Sequence, residues 1–174
     1  MANFVHQTNS MLNISQLTKD DIIIVHQLAQ RIWPEAFKDI LKPEQIEYML
    51  EWMYNVNTLT EQVQTGHLYY MITLDGAPKG FIGLEPNFPD VGTLRIHKLY
   101  VDTKDHGKGL GKALLEKAIE VANELDVATI NLNVNRFNKA VDFYKSQGFD
   151  IVKEEDISIG KGYYMEDYVM VKAL

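Results

Sequence analysis

The sequence predicts an α/β or α+β domain, a mixed sheet with helices packed on its faces. Three observations point there. Apolar residues alternate with polar ones in several short segments and recur at helical spacing in others, in the order β-α-α-β-β-β-α-β-α-β-β. Two of the strand segments, LYYMITL and KGFIGLE, flank the turn residues DGAP, a hairpin signature. Finally, a strand ending at Val101 leads into DHGKGLGKALLEKA (residues 105–118), where three glycines at alternate positions run straight into a helical pattern.

Each element carries its own signal. LNISQLT (residues 12–18) alternates as a half-buried strand does. Thr18, with Asp21 three positions on, offers a capping pair for the next helix. In that helix Ile22, Val25, Leu28, Ala29 and Ile32 share a face until Pro34. Pro43, favoured in a first helical turn, opens a second helix with Ile46, Met49, Leu50 and Met53 as its apolar stripe. Asp75-Gly76 turns the hairpin because both residue types tolerate positive φ. TLRIHKLYV (93–101) is the third strand of that run, and Ala113, Leu114, Ala118, Val121 and Leu125 form one face of a helix over 113–125. ATINLNV (128–134) is a strand. Residues 139–147 form a helix closed by Gly148, and FDIVKEE and GYYMEDYVMVKAL are the closing strands.

Composition sets the outer limits. A chain of 174 residues is most simply one domain, able to bury roughly two thirds of its unfolded surface. Its 46% hydrophobic and 24% charged residues argue against disorder. The absence of cysteine removes disulfides, thiolate metal sites and a cysteine nucleophile, and fits a reducing compartment. A net charge of −7 lacks the basic excess of a nucleic-acid binder. MANFVHQTNSML has neither a basic start nor a long apolar stretch, so no secretory signal is expected. No run is long enough for a membrane span, and the expected setting is the cytoplasm. The five histidines are scattered without ligand spacing, so no metal site is expected.

The glycine segment sits where a strand hands over to a helix, and there backbone N–H groups point outward unpaired. Glycine lets a ligand approach main chain closely, and a helix start attracts anions, phosphate above all. Lys108 and Lys112 add positive charge at the same mouth. The spacing is not that of a Walker A motif, for no Gly-Lys-Ser/Thr closes it, nor that of GxGxxG.

The series KLYV, GLGKALLEKA and INLNVNRFNKAVDFYKSQGF resembles the GNAT superfamily of acyl-CoA N-acetyltransferases. The family's phosphate loop, [Q/R]-x-x-G-x-[G/A], is matched by His106-Gly107-Lys108-Gly109-Leu110-Gly111, with His where Arg or Gln is usual. A later block is matched by Asn138, Ala140, Tyr144, Gly148 and Phe149, and the similarity is strongest from residue 92 to 151. The resemblance implies a central sheet whose two parallel strands, residues 95–101 and 129–134, splay apart to hold acetyl-CoA. Pantetheine would pair with main chain at Leu99, Tyr100 and Val101, and a backbone N–H of that strand would polarise the thioester carbonyl. The diphosphate would rest on residues 106–111 (His106, Gly107, Lys108, Gly109, Leu110, Gly111) beside Lys112, with Asn133 and Asn138 completing the cofactor contacts. Tyr144 stands at the position of the acid that protonates the departing thiolate. For the base that deprotonates the amine, Glu85 and His97 are both candidates. Where some histone-modifying members carry a glutamate, this chain has Arg95.

In such proteins the first two helices wall the acceptor site. Here they carry Trp33, Phe37, Tyr48, Trp52 and Tyr54 with Glu35, Glu44, Glu47 and Glu51, a mixture suited to a cationic amine. The IWPE…EQIEYML segment is similar to PaiA-type polyamine acetyltransferases, which implies a polyamine-like acceptor; a peptide amine is the other acceptor implied. A contrasting expectation is a non-catalytic acyl-CoA sensor on the same fold. The edge strands near the C-terminus are compatible with a homodimer.

Overall fold

The computed structural model describes residues 10–174; residues 1–9, which hold most of the segment bearing on a secretory signal, lie outside them. The strands are β1 (Leu12–Leu17), β2 (Leu68–Leu74), β3 (Ala77–Pro86), β4 (Thr93–Val101), β5 (Thr129–Asn135), β6 (Asp150–Gly160) and β7 (Tyr163–Ala173). They form one seven-stranded sheet in the order β1-β2-β3-β4-β5-β7-β6. Every pairing is antiparallel except that of β4 with β5, which is parallel. The β2–β3 turn is built as its residues suggest: Asp75 and Gly76 both have positive φ, 51° and 81°.

The helices are α1 (Ile23–Ala36), α2 (Pro43–Met53), α3 (Val56–Gln64), α4 (Leu110–Glu124) and α5 (Ala140–Ser146). The expected cap does not form: the N-cap of α1 is Ile22, without a side-chain cap, and the Thr18 hydroxyl instead donates to Asp21 Oδ2 at 2.9 Å within the turn before the helix. Contrary to expectation α1 continues past Pro34 to Ala36. A proline in a last turn forfeits one bond only, and the Phe37 N–H still reaches the Trp33 carbonyl at 3.0 Å. The helix α3 was not expected from the sequence. It is capped by Asn55, whose side chain accepts the Thr58 N–H at 2.8 Å, and it buries one residue, Leu59. The fourth helix starts at Leu110, three residues before the expected 113.

Two cores sandwich the sheet. Under α4 and α5 lie Leu84, Leu94, Ile96, Ile130 and Leu132, packed on Leu114, Leu115 and Ala118. Under α1, α2 and α3 lie Tyr69 and Phe81 with Trp33, Phe37, Tyr54 and Leu59. The strand β4 changes sides between them. Leu84 pairs with Ile96 and Gly83 with Lys98, so His97 is an extra residue opposite no partner, a β-bulge. Before it, even-numbered residues face α4; after it, Leu99 and Val101 face α4 while Tyr100 packs on the aromatic core.

Candidate active site

The parallel pairing of β4 and β5 runs only from Thr93–Thr129 to Ile96–Leu132. Beyond that point β4 stays with β3 up to Val101 and β5 stays with β7 up to Asn135. The two strands therefore part at the bulge, and a cavity of about 220 Å³ lies in the fork. It is lined by both splayed strands, by Trp33 and Phe37 of α1, by Asn138 and Tyr144, and by Met165 and Asp167 of β7. Leu99 and Tyr100 line it too, with one strand edge already paired to β3 and the other turned to the gap. At the base of the fork Arg95 Nη1 donates to Asn131 Oδ1 at 2.8 Å and clamps the last paired register.

At the open end of β4 the chain makes a short 3-10 turn, Thr103–Asp105, and then the glycine bend. Asp105 is buried and receives Lys79 at 3.1 Å and Lys108 at 2.6 Å. Lys108 and then Lys79 hold its carboxyl below the usual range. Lys108 is thus tied into the bend rather than free, whereas Lys112 is exposed. The imidazole of His106 turns back and its Nε2 lies 3.2 Å from the Val101 carbonyl, so this side chain braces the strand end. Gly109, at φ 79°, occupies the N-cap position, where a Cβ would meet nothing within 4 Å. Among the described residues, none of the six N–H groups from Gly107 to Lys112 meets an acceptor, although Ala113 already bonds the Gly109 carbonyl at 3.0 Å. Six consecutive donors at a helix start make a nest for an anion.

On the sheet face under α1 and α3, His97 Nε2 lies 2.6 Å from Glu85 Oε2, and His67 Nε2 lies 3.5 Å from the same oxygen. The histidines are therefore not all scattered: the potential ligand atoms of His67, Glu85 and His97 fall within 4.8 Å of one another. Their rings stack at 5.3 Å and 17°, however. A metal lies near the plane of each ring that ligates it, and two stacked, nearly parallel planes do not meet at one point. The cluster as built suits proton sharing. Burial lowers both imidazoles from their ordinary value, against the pull of Glu85.

Tyr144 is buried, with Phe143 and Phe149 edge-on at 5.2 and 5.6 Å. Burial pushes its phenol upward, so it stays protonated across the ordinary pH range. Asn138 caps α5, its Oδ1 accepting the Ala140 N–H at 2.9 Å, and it also lines the fork. Asn133 donates to Asp167 at 3.3 Å and Glu155 at 3.4 Å.

Three residues of this region escaped the sequence analysis: His67, Asp167 and Lys98. Lys98 is 4% exposed and donates to Gln62 Oε1 at 3.2 Å, with the Tyr54 and Tyr69 rings 5.4 and 5.6 Å from its nitrogen. Burial pulls its ammonium down to about 8, with Glu85 acting in the opposite sense. The acids of the first two helices stand elsewhere than expected. Glu35, Glu44, Glu47 and Glu51 are all exposed, while Trp33, Phe37, Met49 and Met53 face the cavity.

The family model for an acetyltransferase (GNAT) domain matches residues 37–165. An uncharacterised N-acetyltransferase of Lactobacillus delbrueckii subsp. lactis is 26% identical over 170 residues, covering 94% of this chain and 98% of its own. A peptidyl-lysine N-acetyltransferase of Salmonella typhimurium is 33% identical over 98 residues, covering 55% of this chain and 59% of its own. Among solved structures, the PaiA N-acetyltransferase of Thermoplasma acidophilum in complex with coenzyme A superposes with a TM-score of 0.78. It is 23% identical, covering 94% of this chain and 99% of the other, a likeness of fold.

Proposed function

From the premise that this chain belongs to the GNAT acetyltransferase family, we propose that it acts as a single cytoplasmic domain. It moves an acetyl group from acetyl-CoA to a primary amine of a small molecule or peptide, by direct attack in a ternary complex. One observation carries this reading: the six unpartnered N–H groups from Gly107 to Lys112 stand at the mouth of the β4–β5 fork. They suit a diphosphate, and the free edge of β4 at Leu99 and Tyr100 suits the amides of pantetheine. No helix among the described residues is long and apolar enough to cross a membrane.

The chemistry then falls to side chains around the fork. A primary amine is largely protonated at neutral pH and attacks only as the free base. Glu85 and His97, 2.6 Å apart, form the pair that takes its proton. His67 beside them shares that charge. The lowered imidazoles are neutral, and so able to take a proton, at neutral pH. Tyr144, kept protonated by burial, supplies the proton that the departing thiolate gains. The main-chain N–H at the bulge, unmatched in the β3 register, is suited to hold the carbonyl oxygen as it becomes negative. The outward-facing acids of α1 and α2 remove the support they lent to a polyamine acceptor.

Two variants test the proposal. Gly109→Val should lower CoA affinity about tenfold or more, because the side chain would stand in the space reserved for the diphosphate. Valine at φ 79° also strains the backbone by about 1–3 kcal/mol. Unchanged CoA affinity by calorimetry would refute the placement. Tyr144→Phe should lower kcat about 10²-fold or more at unaltered CoA affinity. CoA binding with no thiol released across a broad panel of amines would favour the sensor instead.

A further inference from the structure

The acceptor side of the fork carries a chemical preference of its own. Asp167 lines the cavity from β7, is 7% exposed, and has one donor on it, Asn133 Nδ2 at 3.3 Å. The Oδ1 of Asn133 is buried without any hydrogen bond. Arg95 gives Nη1 to Asn131 and forms no ion pair with Asp167 among the described residues. Arg95 Nε is likewise buried without a partner, but it does not reach Asp167 or Asn133, whose acceptors still call for a donor. A primary ammonium has three.

Trp33, Phe37, Met49, Met53, Ile157 and Met165 give the cavity a broad apolar wall, beside the uncharged polar side chains of Gln45, Asn135, Asn138 and Tyr164. Asp167 is the sole carboxylate among the lining residues, and the other charged groups there, Arg95 and Lys98, are cationic. A second positive charge on the acceptor would find apolar side chains, neutral amides or a like charge and no second carboxylate to pair with, an unfavourable burial. We infer that the acceptor is a singly charged primary amine on an apolar or aromatic body, its ammonium anchored by Asp167 and its body held between α1, α2 and the β6–β7 hairpin. This rests on the transferase reading for the identity of the fork, and it turns the acceptor away from polyamines.

The amine is bound as its ammonium and must afterwards give up a proton to react, so Asp167 is a positioning residue and the Glu85–His97 pair remains the base. The test uses the full chain with acetyl-CoA and compares phenethylamine and hexylamine with spermidine and putrescine, following free thiol. Apolar monoamines should exceed the polyamines in kcat/KM by about tenfold or more, and Asp167→Asn should raise KM for phenethylamine by about tenfold while CoA affinity holds. A preference for polyamines, or an unchanged KM in Asp167→Asn, overturns the inference. Calorimetry of phenethylamine with CoA-saturated protein separates the two levels. Binding that Asp167→Asn abolishes, without thiol release, supports the site and defeats the transferase reading; absence of binding defeats the site.

Discussion

The two faces of the sheet are built from different materials. On the α4 face, branched aliphatic side chains interlock: Leu84, Leu94, Ile130 and Leu114 are each 0% exposed, and the polar atoms are few. On the α1–α3 face the packing is aromatic. Trp33 stands 4.5 Å from Phe37, 5.3 Å from Tyr54 and 5.4 Å from Tyr100, ring centre to ring centre. Here the Trp33 Nε1 and Tyr54 Oη are buried without hydrogen bonds, and Lys98 is buried with a single amide oxygen as its partner. The first face is satisfied by itself. The second holds groups whose burial is unfavourable in the free protein, an arrangement expected where a ligand completes the site. The buried polar groups without partners are thereby gathered toward one side of the sheet, while Tyr144 and the glycine bend at the start of α4 belong to the other.

Substitutions on either face can break that division. The largest effect is expected on the aliphatic side: Leu114→Ala should destabilise by about 2–5 kcal/mol in urea denaturation while KM for the amine stays put. A change in KM as large as the change in stability would show that the faces are coupled. Next comes Lys98. Its drop from 10.5 to about 8 means that the ammonium disfavours the folded state at pH 7, by about 3 kcal/mol, and that this penalty fades only as the pH rises from 8 toward 10.5. Lys98→Met leaves the bond from Tyr69 to Gln62 in place and should stabilise the protein by about 1–3 kcal/mol at pH 7. A loss of stability would mean that the ammonium is better compensated than its neighbours suggest.

The smallest effect is a pH dependence. His97 sits below its ordinary 6.5, so near pH 6 the unfolded chain binds more protons than the folded one. The stability due to this group is complete above about pH 6.5 and declines as the pH falls, by about 1 kcal/mol by pH 5.5. Melting temperatures over that range should fall for the native chain and fall less steeply in His97→Asn, where the lowered His67 remains. Equal slopes in both would assign the titration to another group.

The element order and the glycine bend were legible in the sequence, the contrast between the two faces was not, and the failures have identifiable causes. The glycine bend, the Asp75-Gly76 turn and both ends of β4 were readable because local residues fix them, whereas the pair of strands that part followed only from the family resemblance. Even the outward acids were implicit: Glu47 and Glu51 fall between the residues of the stripe Ile46, Met49, Leu50 and Met53. The helix α3 was hidden because it buries only Leu59 and so shows no stripe; its one local sign is Asn55. His67 was hidden by register. Counting back from the hairpin turn sets it against Leu84, but an irregularity between Ile72 and Thr73 shifts the pairing, so that Leu68 meets Leu84 and His67 falls level with Glu85. The burial of Lys98 depends on the bulge at His97, which strand alternation cannot reveal.

That single extra residue in β4 puts two neighbours, His97 and Lys98, where simple alternation allows one. Removing His97 would restore simple alternation and leave Lys98 on the aromatic side and Leu99 toward α4, but it would take away the imidazole beside Glu85 and the unmatched N–H at the fork. Removing a second residue would exchange the sides from there to Val101, pulling Leu99 toward the aromatic core. Insertions should therefore be tolerated in the turns around this strand and not within it, so that relatives of this chain can vary in loop length while keeping the same count from the clamp at Arg95 to the bend after Val101.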